Sequence, residues 1–225
     1  MSQGSGARLV AAAAIGGAVL GVVSNLLFGL ALGFDTSELS AAPRYSSVPP
    51  ERAGLVRWGA LTDMLGYYLP TIPIAVYLRR RLTGWDGFTA DLATAGGLAY
   101  AVIGSLGAAA LATTAPSLLR DGSEAAATLL EALTDLVVVG WWQTLQPIPF
   151  TVWMLGIAAA LPVHRRGLAL FTRVLAGAAA ITVMGRVLAV EPIVLVGVTV
   201  WVVPFPVWLL AVGLMIRDGD SGRMA

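Results

Sequence analysis

Several ionisable side chains fall within apolar stretches of this sequence, where a charge is costly to bury. Four of them could share a site, namely Asp63, Glu131, Asp135 and Arg186, whereas Arg173 lies near the inner end of its segment and can reach lipid headgroups. A charged group at the centre of a bilayer costs a few kcal/mol or more, so it takes an opposite charge, water or a ligand as its partner. Three kinds of chemistry follow: a structural ion pair of Arg186 with Asp63 or Asp135, a polar pocket in which Arg186 holds the acids or an anionic group, and hydrolysis by the carboxylates of Asp63 and Asp135.

These four residues are predicted to lie at a similar depth. Asp63 follows Arg57 by roughly 9 Å of helix, and Arg186 precedes Val190 by roughly 6 Å. The two acids of the next candidate helix, Glu131 and Asp135, are four residues apart, so they share a helix face. The pattern predicts a polar pocket that opens outward, with Arg57 above Asp63.

A bent helix is expected beside this pocket. Pro147 and Pro149 lack an N–H group, so the carbonyl groups of Gln143 and Leu145 lose their helical partners. The chain is therefore predicted to bend there, with the amide side chains of Gln143 and Gln146 occupying some of the freed groups. The predicted wall of the pocket comprises Trp141, Trp142, Gln143, Gln146, Pro147 and Pro149.

The residue inventory excludes several kinds of chemistry. There is no cysteine, hence no disulfide, thiol nucleophile or iron–sulfur cluster, and no lysine for a Schiff base. The one histidine, His164, lies in a basic turn. Gly104-Ser105-Leu106-Gly107 has no base to activate its serine, so we interpret it as a helix-packing element. We predict no catalytic residue, no metal, no cofactor and no nucleic-acid partner, and favour a protein that is not an enzyme.

The composition is that of a membrane protein. Hydrophobic residues make up 57% of the 225-residue chain and charged residues only 12%, against about 25% in soluble proteins. The predicted fold class is all-α, a polytopic membrane helix bundle in a single domain spanning residues 1–225. Six apolar segments are long enough to cross a bilayer. They run over residues 9–34, 57–79, 90–114, 125–161, 168–190 and 192–216, with a loop at 35–56.

Arginine placement predicts the orientation. All 14 basic residues are arginines, and most of those near the ends of the segments fall on one side if the N-terminus is cytoplasmic. By the positive-inside rule both termini are then cytoplasmic, the loop at 35–56 is external, and the protein lies in the cell membrane. The arginines on the inner side are Arg8, Arg79, Arg80, Arg81, Arg165, Arg166, Arg217 and Arg223, and those outside are Arg44, Arg52, Arg57 and Arg120.

Small residues form a ridge on the first segment, because they recur every four residues. The ridge consists of Gly17, Gly21, Asn25, Gly29 and Gly33. This spacing lets two helix backbones approach closely, with the asparagine forming a hydrogen bond across the contact. The helix that packs here belongs either to the same chain, which we favour, or to a protein partner or second protomer.

The segments alternate in character. The first, third and fifth are rich in glycine and alanine, whereas the second, fourth and sixth carry aromatic residues around a pair of prolines. The proline pairs are Pro70 and Pro73, Pro147 and Pro149, and Pro204 and Pro206. Three hairpins of one type would give this pattern, although the spacing between successive pairs is uneven.

One segment carries a family resemblance. Arg57-Trp58-Gly59-Ala60-Leu61-Thr62-Asp63 opens the second segment, and a basic turn follows it. In these features and in size the chain resembles small bacterial six-span membrane proteins of unknown function, a likeness that implies no established activity. We expect a protein that binds or transports a small or lipidic ligand. The alternatives are a structural or regulatory subunit that associates through the first segment and, third, an intramembrane carboxylate hydrolase.

Overall fold

The structure is a computed structural model, and it describes residues 3–34, 45–82 and 86–219. Within these ranges the chain is helical and contains no strand, which confirms the all-α fold class. Five of the described helices are long and apolar enough to cross a membrane. These helices indicate a membrane protein. Part of the predicted external loop, residues 35–44, lies outside the described ranges, as do Arg44 and Arg223.

The helices match the six apolar segments, and they extend the second, third and sixth at both ends. In chain order they are α1 (Gln3–Leu32), α2 (Ala53–Asp63, continued by a π-helix over Met64–Tyr68), α3 (Thr71–Arg81), α4 (Gly87–Asp121), α5 (Glu124–Thr134, continued by a π-helix over Asp135–Leu145), α6 (Pro147–Ala160), α7 (Arg166–Val187), α8 (Glu191–Val202) and α9 (Phe205–Gly219). Short 3₁₀ turns precede α2 and α7.

Several helix ends follow from local sequence. Asp86 caps α4 by accepting a hydrogen bond from the Thr89 backbone N–H at 2.9 Å, and the bonds from Thr89 hold the pKa of this exposed carboxyl below its usual value. Ser123 caps α5 in the same way. Gly122 ends α4 in the left-handed conformation, with φ of 66°, which glycine adopts without strain.

All three even-numbered segments are interrupted at their proline pairs. The second segment passes through a π-turn, in which the Leu69 N–H bonds the Met64 carbonyl at 3.0 Å, and breaks at Pro70. The fourth does the same, with the Gln146 N–H bonding the Trp141 carbonyl at 2.8 Å. The sixth breaks at residues 203–204. The second segment is not among the five candidate spans, whereas the fourth and sixth are among them in spite of their breaks.

The segments pack as a closed ring in chain order. Each contacts the next, and the sixth returns to pack on the first, chiefly through α1 and α9. The even-numbered segments also meet one another inside the ring through aromatic side chains. Tyr67 stacks on Phe205 with ring centroids 5.7 Å apart, Tyr68 lies 6.4 Å from Trp142, and Phe150 lies 4.8 Å from Trp201. The breaks and the aromatic residues therefore share the centre of the molecule.

Candidate functional site

A cavity of about 180 Å³ lies between the first, second, fourth and sixth segments, under the short turn that precedes α2. Residues of α1, α8 and the two π-helices supply most of its wall. The lining residues are Asn25, Phe28, Leu32, Tyr45, Asp63, Tyr68, Val138, Trp142, Gln143, Gln146, Val198, Trp201 and Val202. The cavity thus sits beside the breaks in the second, fourth and sixth segments.

Four polar atoms of the lining residues are buried without a hydrogen-bond partner in the described part of the chain. They are Asp63 Oδ2, Trp142 Nε1, Gln146 Oε1 and Trp201 Nε1. Buried polar groups are nearly always paired, and leaving one unpaired costs roughly 1–3 kcal/mol. Their residues line one cavity, although the Trp142 indole nitrogen itself lies against Gly107 of α4.

Asp63 carries the charge of this cavity. Its side chain is at the end of α2, and the residue is only 8% exposed. The Ser24 hydroxyl on α1 lies within 3.5 Å of its Oδ1 and donates to the Gly59 carbonyl at 3.0 Å. None of the ion pairs among the described residues includes Asp63. The carboxyl group therefore has hydroxyl neighbours but no cation.

Glycines of α4 make room for the cavity wall. A Cβ at Gly104 would overlap Gln146 Nε2 and the ring of Tyr68, and one at Gly107 would crowd the indole of Trp142. Close to Gly104, Gln146 Nε2 donates to the Tyr100 carbonyl at 3.2 Å. The Gly104 to Gly107 stretch is therefore a packing element, as predicted from the sequence. It contacts three residues of the site, Tyr68, Trp142 and Gln146.

A hydrogen-bond chain joins three segments at the cavity edge. Asn25 Nδ2 donates to the Tyr67 hydroxyl at 2.8 Å, and that hydroxyl donates to the Val202 carbonyl at 3.1 Å. The Val202 carbonyl lacks its usual helical donor because residue 206 is proline. A tyrosine of the second segment therefore satisfies a backbone group that the break in the sixth segment leaves free.

Arg186 has a different partner from the predicted ones. Its Nη1 pairs with Glu191 Oε1 at 2.7 Å, and its Nη2 donates to Gln143 Oε1, whereas neither Asp63 nor Asp135 forms an ion pair with it. The predicted pairing of Arg186 is corrected accordingly. The reason is local: a short turn joins α7 to α8 and places Glu191 five residues from the arginine, at the start of the next helix.

Glu131, Asp135 and Arg57 are exposed and do not line the cavity. On α5 the buried face includes Leu130 and Thr134, so the acids one residue further along each point away from it. Glu131 Oε1 instead accepts a hydrogen bond from Ser46 at 3.2 Å. Similar depth along a helix therefore did not bring the predicted cluster together, because depth does not specify the face.

The predicted ridge of the first segment divides into two parts. Gly17 and Gly21 lie against Gly66, Tyr67 and Pro70 of the second segment, and Gly21 also faces the sixth. Helices of the same chain therefore cover Gly17 and Gly21, which is the arrangement that we favoured. The alternative, in which a partner protein packs on these two glycines, is corrected.

The other part of the ridge ends the helix. Gly33 has φ of 74°, and the Phe34 N–H returns to the Gly29 carbonyl at 2.7 Å, as in a Schellman cap. A Cβ at Gly29 would overlap the ring of Phe34. These two glycines therefore serve the helix end.

The predicted wall residues are partly in place. Trp142, Gln143 and Gln146 line the cavity, whereas Trp141, Pro147 and Pro149 do not. The two amides bond Arg186 and the Tyr100 carbonyl, and not the freed carbonyl groups of their own helix. Sequence reasoning missed Tyr45, Tyr68, Phe28 and Trp201; the aromatic pattern of the even-numbered segments was the available signal for Tyr68 and Trp201.

The acidic and histidine side chains of the described residues are dispersed. Among the described residues there is no group of three or more acidic or histidine side chains that could hold a metal ion. Asp135 is exposed while Asp63 lines the cavity, so the two carboxylates are not placed as a hydrolytic pair. Comparison with protein-family models, with curated proteins and with solved structures finds no match to this chain.

Proposed function

We propose that this membrane protein binds a small molecule in the cavity between its first, second, fourth and sixth segments. The observation that carries the proposal is a buried acid, Asp63, that lines a cavity of about 180 Å³ and has no ion-pair partner among the described residues. A purely structural core would pair such a group, because an unpaired buried charge lowers stability. A ligand that interacts with Asp63 removes that penalty.

The topology that goes with this function has six spans in the cell membrane and both termini in the cytoplasm. The arginine distribution supports it. The second segment, α2 and α3, is counted as a span although it is broken, because irregular backbone is tolerated at membrane depth where it is buried in protein or lines a cavity. In this topology the cavity lies nearer the outer surface, under the turn that contains Tyr45.

Transport is favoured over static binding by the breaks in the helices. Discontinuous membrane helices with a ligand site at the break are a feature of many transporters. Here the second, fourth and sixth segments are all interrupted next to the cavity. A break allows one half of a segment to move relative to the other, and closing and opening of such halves gives the ligand access from alternate sides.

Cysteine accessibility tests the proposal directly, since the natural chain contains no cysteine. Val138 lines the cavity and is 5% exposed, whereas Val212 is 1% exposed and lies elsewhere. We expect N-ethylmaleimide to modify a Val138→Cys variant of the purified full chain at least about tenfold faster than Val212→Cys. Equal, slow modification of both would show that small molecules do not enter the cavity.

A thermal-shift panel of small cations, anions, neutral solutes and lipids identifies ligands. A compound bound in the cavity stabilises the wild-type protein by mass action. We expect Trp142→Phe, which removes one indole N–H and keeps an aromatic ring, to reduce that shift. The matched control is Trp58→Phe, because Trp58 is 60% exposed and does not line the cavity. A shift that Trp142→Phe leaves unchanged would place the ligand outside the cavity.

A further inference from the structure

We infer that the cavity ligand is a small organic cation, an amine held by the Asp63 carboxylate and enclosed by aromatic rings. The inference rests on the proposed function and adds the chemical class of the ligand. It follows from the charge, the aromatic lining, the hydrogen-bonding groups and the size of the cavity.

The charge of the lining is the first argument. Asp63 is the one acid among the lining residues, and no arginine or histidine is among them. The hydroxyl groups of Ser24 and Tyr68 lie near the carboxylate, but none of the ion pairs among the described residues includes it. A carboxylate at membrane depth is costly without a positive charge or water beside it. A bound cation supplies the partner that the described protein groups do not.

Arg186 does not reverse this charge balance. Its guanidinium group is already held by Glu191 and by Gln143 Oε1, at the edge of the cavity. An anionic ligand would have to compete with Glu191 for the arginine and would meet Asp63 inside the cavity. The same contact fixes the Gln143 side chain, which is left with its amide N–H groups as donors. The arrangement therefore favours a cation over an anion.

Aromatic side chains from five parts of the chain line the space. They are Phe28, Tyr45, Tyr68, Trp142 and Trp201. Phe28 and Tyr45 lie against each other with ring centroids 6.1 Å apart, and Tyr68 lies 6.4 Å from Trp142. The face of an aromatic ring attracts a cation, and aromatic cages are used to bind ammonium groups. The lining thus combines one carboxylate with an aromatic enclosure.

Hydrogen bonding and size restrict the ligand further. The side chains of Asp63 and Gln146 bring hydrogen-bond acceptors to the cavity wall, as an ammonium group requires. An engineered protein cavity of about 150 Å³ binds benzene. The present cavity, about 180 Å³, therefore accommodates an amine with the bulk of one small ring or short chain.

The test uses two thiol reagents of opposite charge on the Val138→Cys variant, purified as the full chain in detergent. The reagents are 2-aminoethyl methanethiosulfonate, a cation, and 2-sulfonatoethyl methanethiosulfonate, an anion. Their rate ratio is normalised to that at Ala125→Cys, an exposed position outside the cavity. Because a nearby unit charge favours an opposite charge strongly in a protein environment, we expect a normalised preference for the cation of at least about tenfold.

Substitutions at Asp63 assign the preference to the carboxylate. Asp63→Asn should bring the normalised ratio to about one, and Asp63→Glu, which keeps the charge, should retain most of it. If Asp63→Asn does not yield a monodisperse protein, the normalised cation-to-anion rate ratio is measured in Val138→Cys with the natural Asp63 and in Val138→Cys with Asp63→Glu. A ratio near or below one in both proteins overturns the inference. An undiminished ratio in Asp63→Asn also overturns it.

A protection assay adds an independent readout with defined probes. We expect 2-phenylethylamine to slow the modification of Val138→Cys several-fold, and 2-phenylethanol and 3-phenylpropionate, its neutral and anionic analogues, to have no such effect. Protection by the anion alone would overturn the cation assignment while leaving a ligand-binding cavity. Failure of every reagent to reach Val138→Cys, with Ala125→Cys reactive, would instead refute the proposed function and the inference together.

Discussion

The odd-numbered and even-numbered segments carry different kinds of residue and occupy different places in the ring. The odd ones, such as α1 and α4, are continuous helices whose glycines give the neighbouring segments close access. The even ones are broken at prolines, and their aromatic side chains meet at the centre. The cavity is lined mainly by the even segments and by the C-terminal half of α1.

The difference explains where polar chemistry can exist in so apolar a chain. A continuous helix satisfies its own backbone groups, so it offers few polar sites inside a membrane. A broken helix frees carbonyl groups and shifts the faces of its side chains, and both effects appear beside the cavity. The Tyr67 hydroxyl satisfies the Val202 carbonyl, and the long π-helix places Trp142 and Gln146 at the wall.

The largest expected effect comes from a glycine of an odd segment. A Cβ at Gly17 would lie 2.7 Å from Pro70 Cγ and 2.9 Å from the Gly66 carbonyl oxygen, so Gly17→Ala must push α1 away from the break in the second segment. Overpacking of this kind costs about 1–3 kcal/mol. We expect a clear fall in the apparent melting temperature of the protein in detergent micelles.

The neighbouring glycine provides the matched control for that substitution. A Cβ at Gly16 would meet no atom within 4 Å, so Gly16→Ala should leave the melting temperature unchanged or raise it slightly, since alanine favours helix by up to about 1 kcal/mol. Equal changes in melting temperature for Gly16→Ala and Gly17→Ala would contradict the idea that glycines of the odd segments are needed for close packing against the breaks in the even segments.

The segments were predictable from sequence because hydropathy and length fix a membrane helix almost completely. The breaks at the proline pairs also follow from the missing N–H groups. Which residues share the cavity was not predictable in the same way, and the fourth segment shows why. Glu131 and Asp135 have the predicted depth but lie on the exposed face of the helix. The π-helix that starts at Asp135 has more residues per turn than an α-helix, so the 3.6-residue period does not predict that Trp142 and Gln146 line the cavity.

A smaller effect is expected from the hydrogen-bond chain at the cavity edge. Tyr67→Phe removes the hydroxyl that accepts from Asn25 and donates to Val202, but it keeps the ring against Phe205. Hydrogen bonds between membrane helices contribute about 0.6 kcal/mol on average and up to about 1.7. Because this one also serves a carbonyl freed by proline, we expect a loss near the upper value, measured as the free energy of unfolding in mixed micelles.

Tyr77→Phe is the control for the tyrosine substitution. Tyr77 belongs to the same segment, and its ring lies 5.6 Å from the guanidinium carbon of Arg81, a contact that phenylalanine preserves. We expect a change well below that of Tyr67→Phe. If both variants lose the same stability, the bonded hydroxyl at the break has no special role.

The smallest effect is expected at the rim, where Arg186 pairs with Glu191. The glutamate side chain is 53% exposed, so Glu191→Gln removes an ion pair that water screens, and exposed pairs of this type contribute about 0–1 kcal/mol. Arg186 retains its contact with Gln143 in this variant. The free energy of unfolding should therefore change little, whereas Arg186→Gln, which removes an 11%-exposed side chain from between two segments, should cost more. A large loss in Glu191→Gln would mean that the rim pair, and not the contacts at the helix breaks, holds the fifth and sixth segments together.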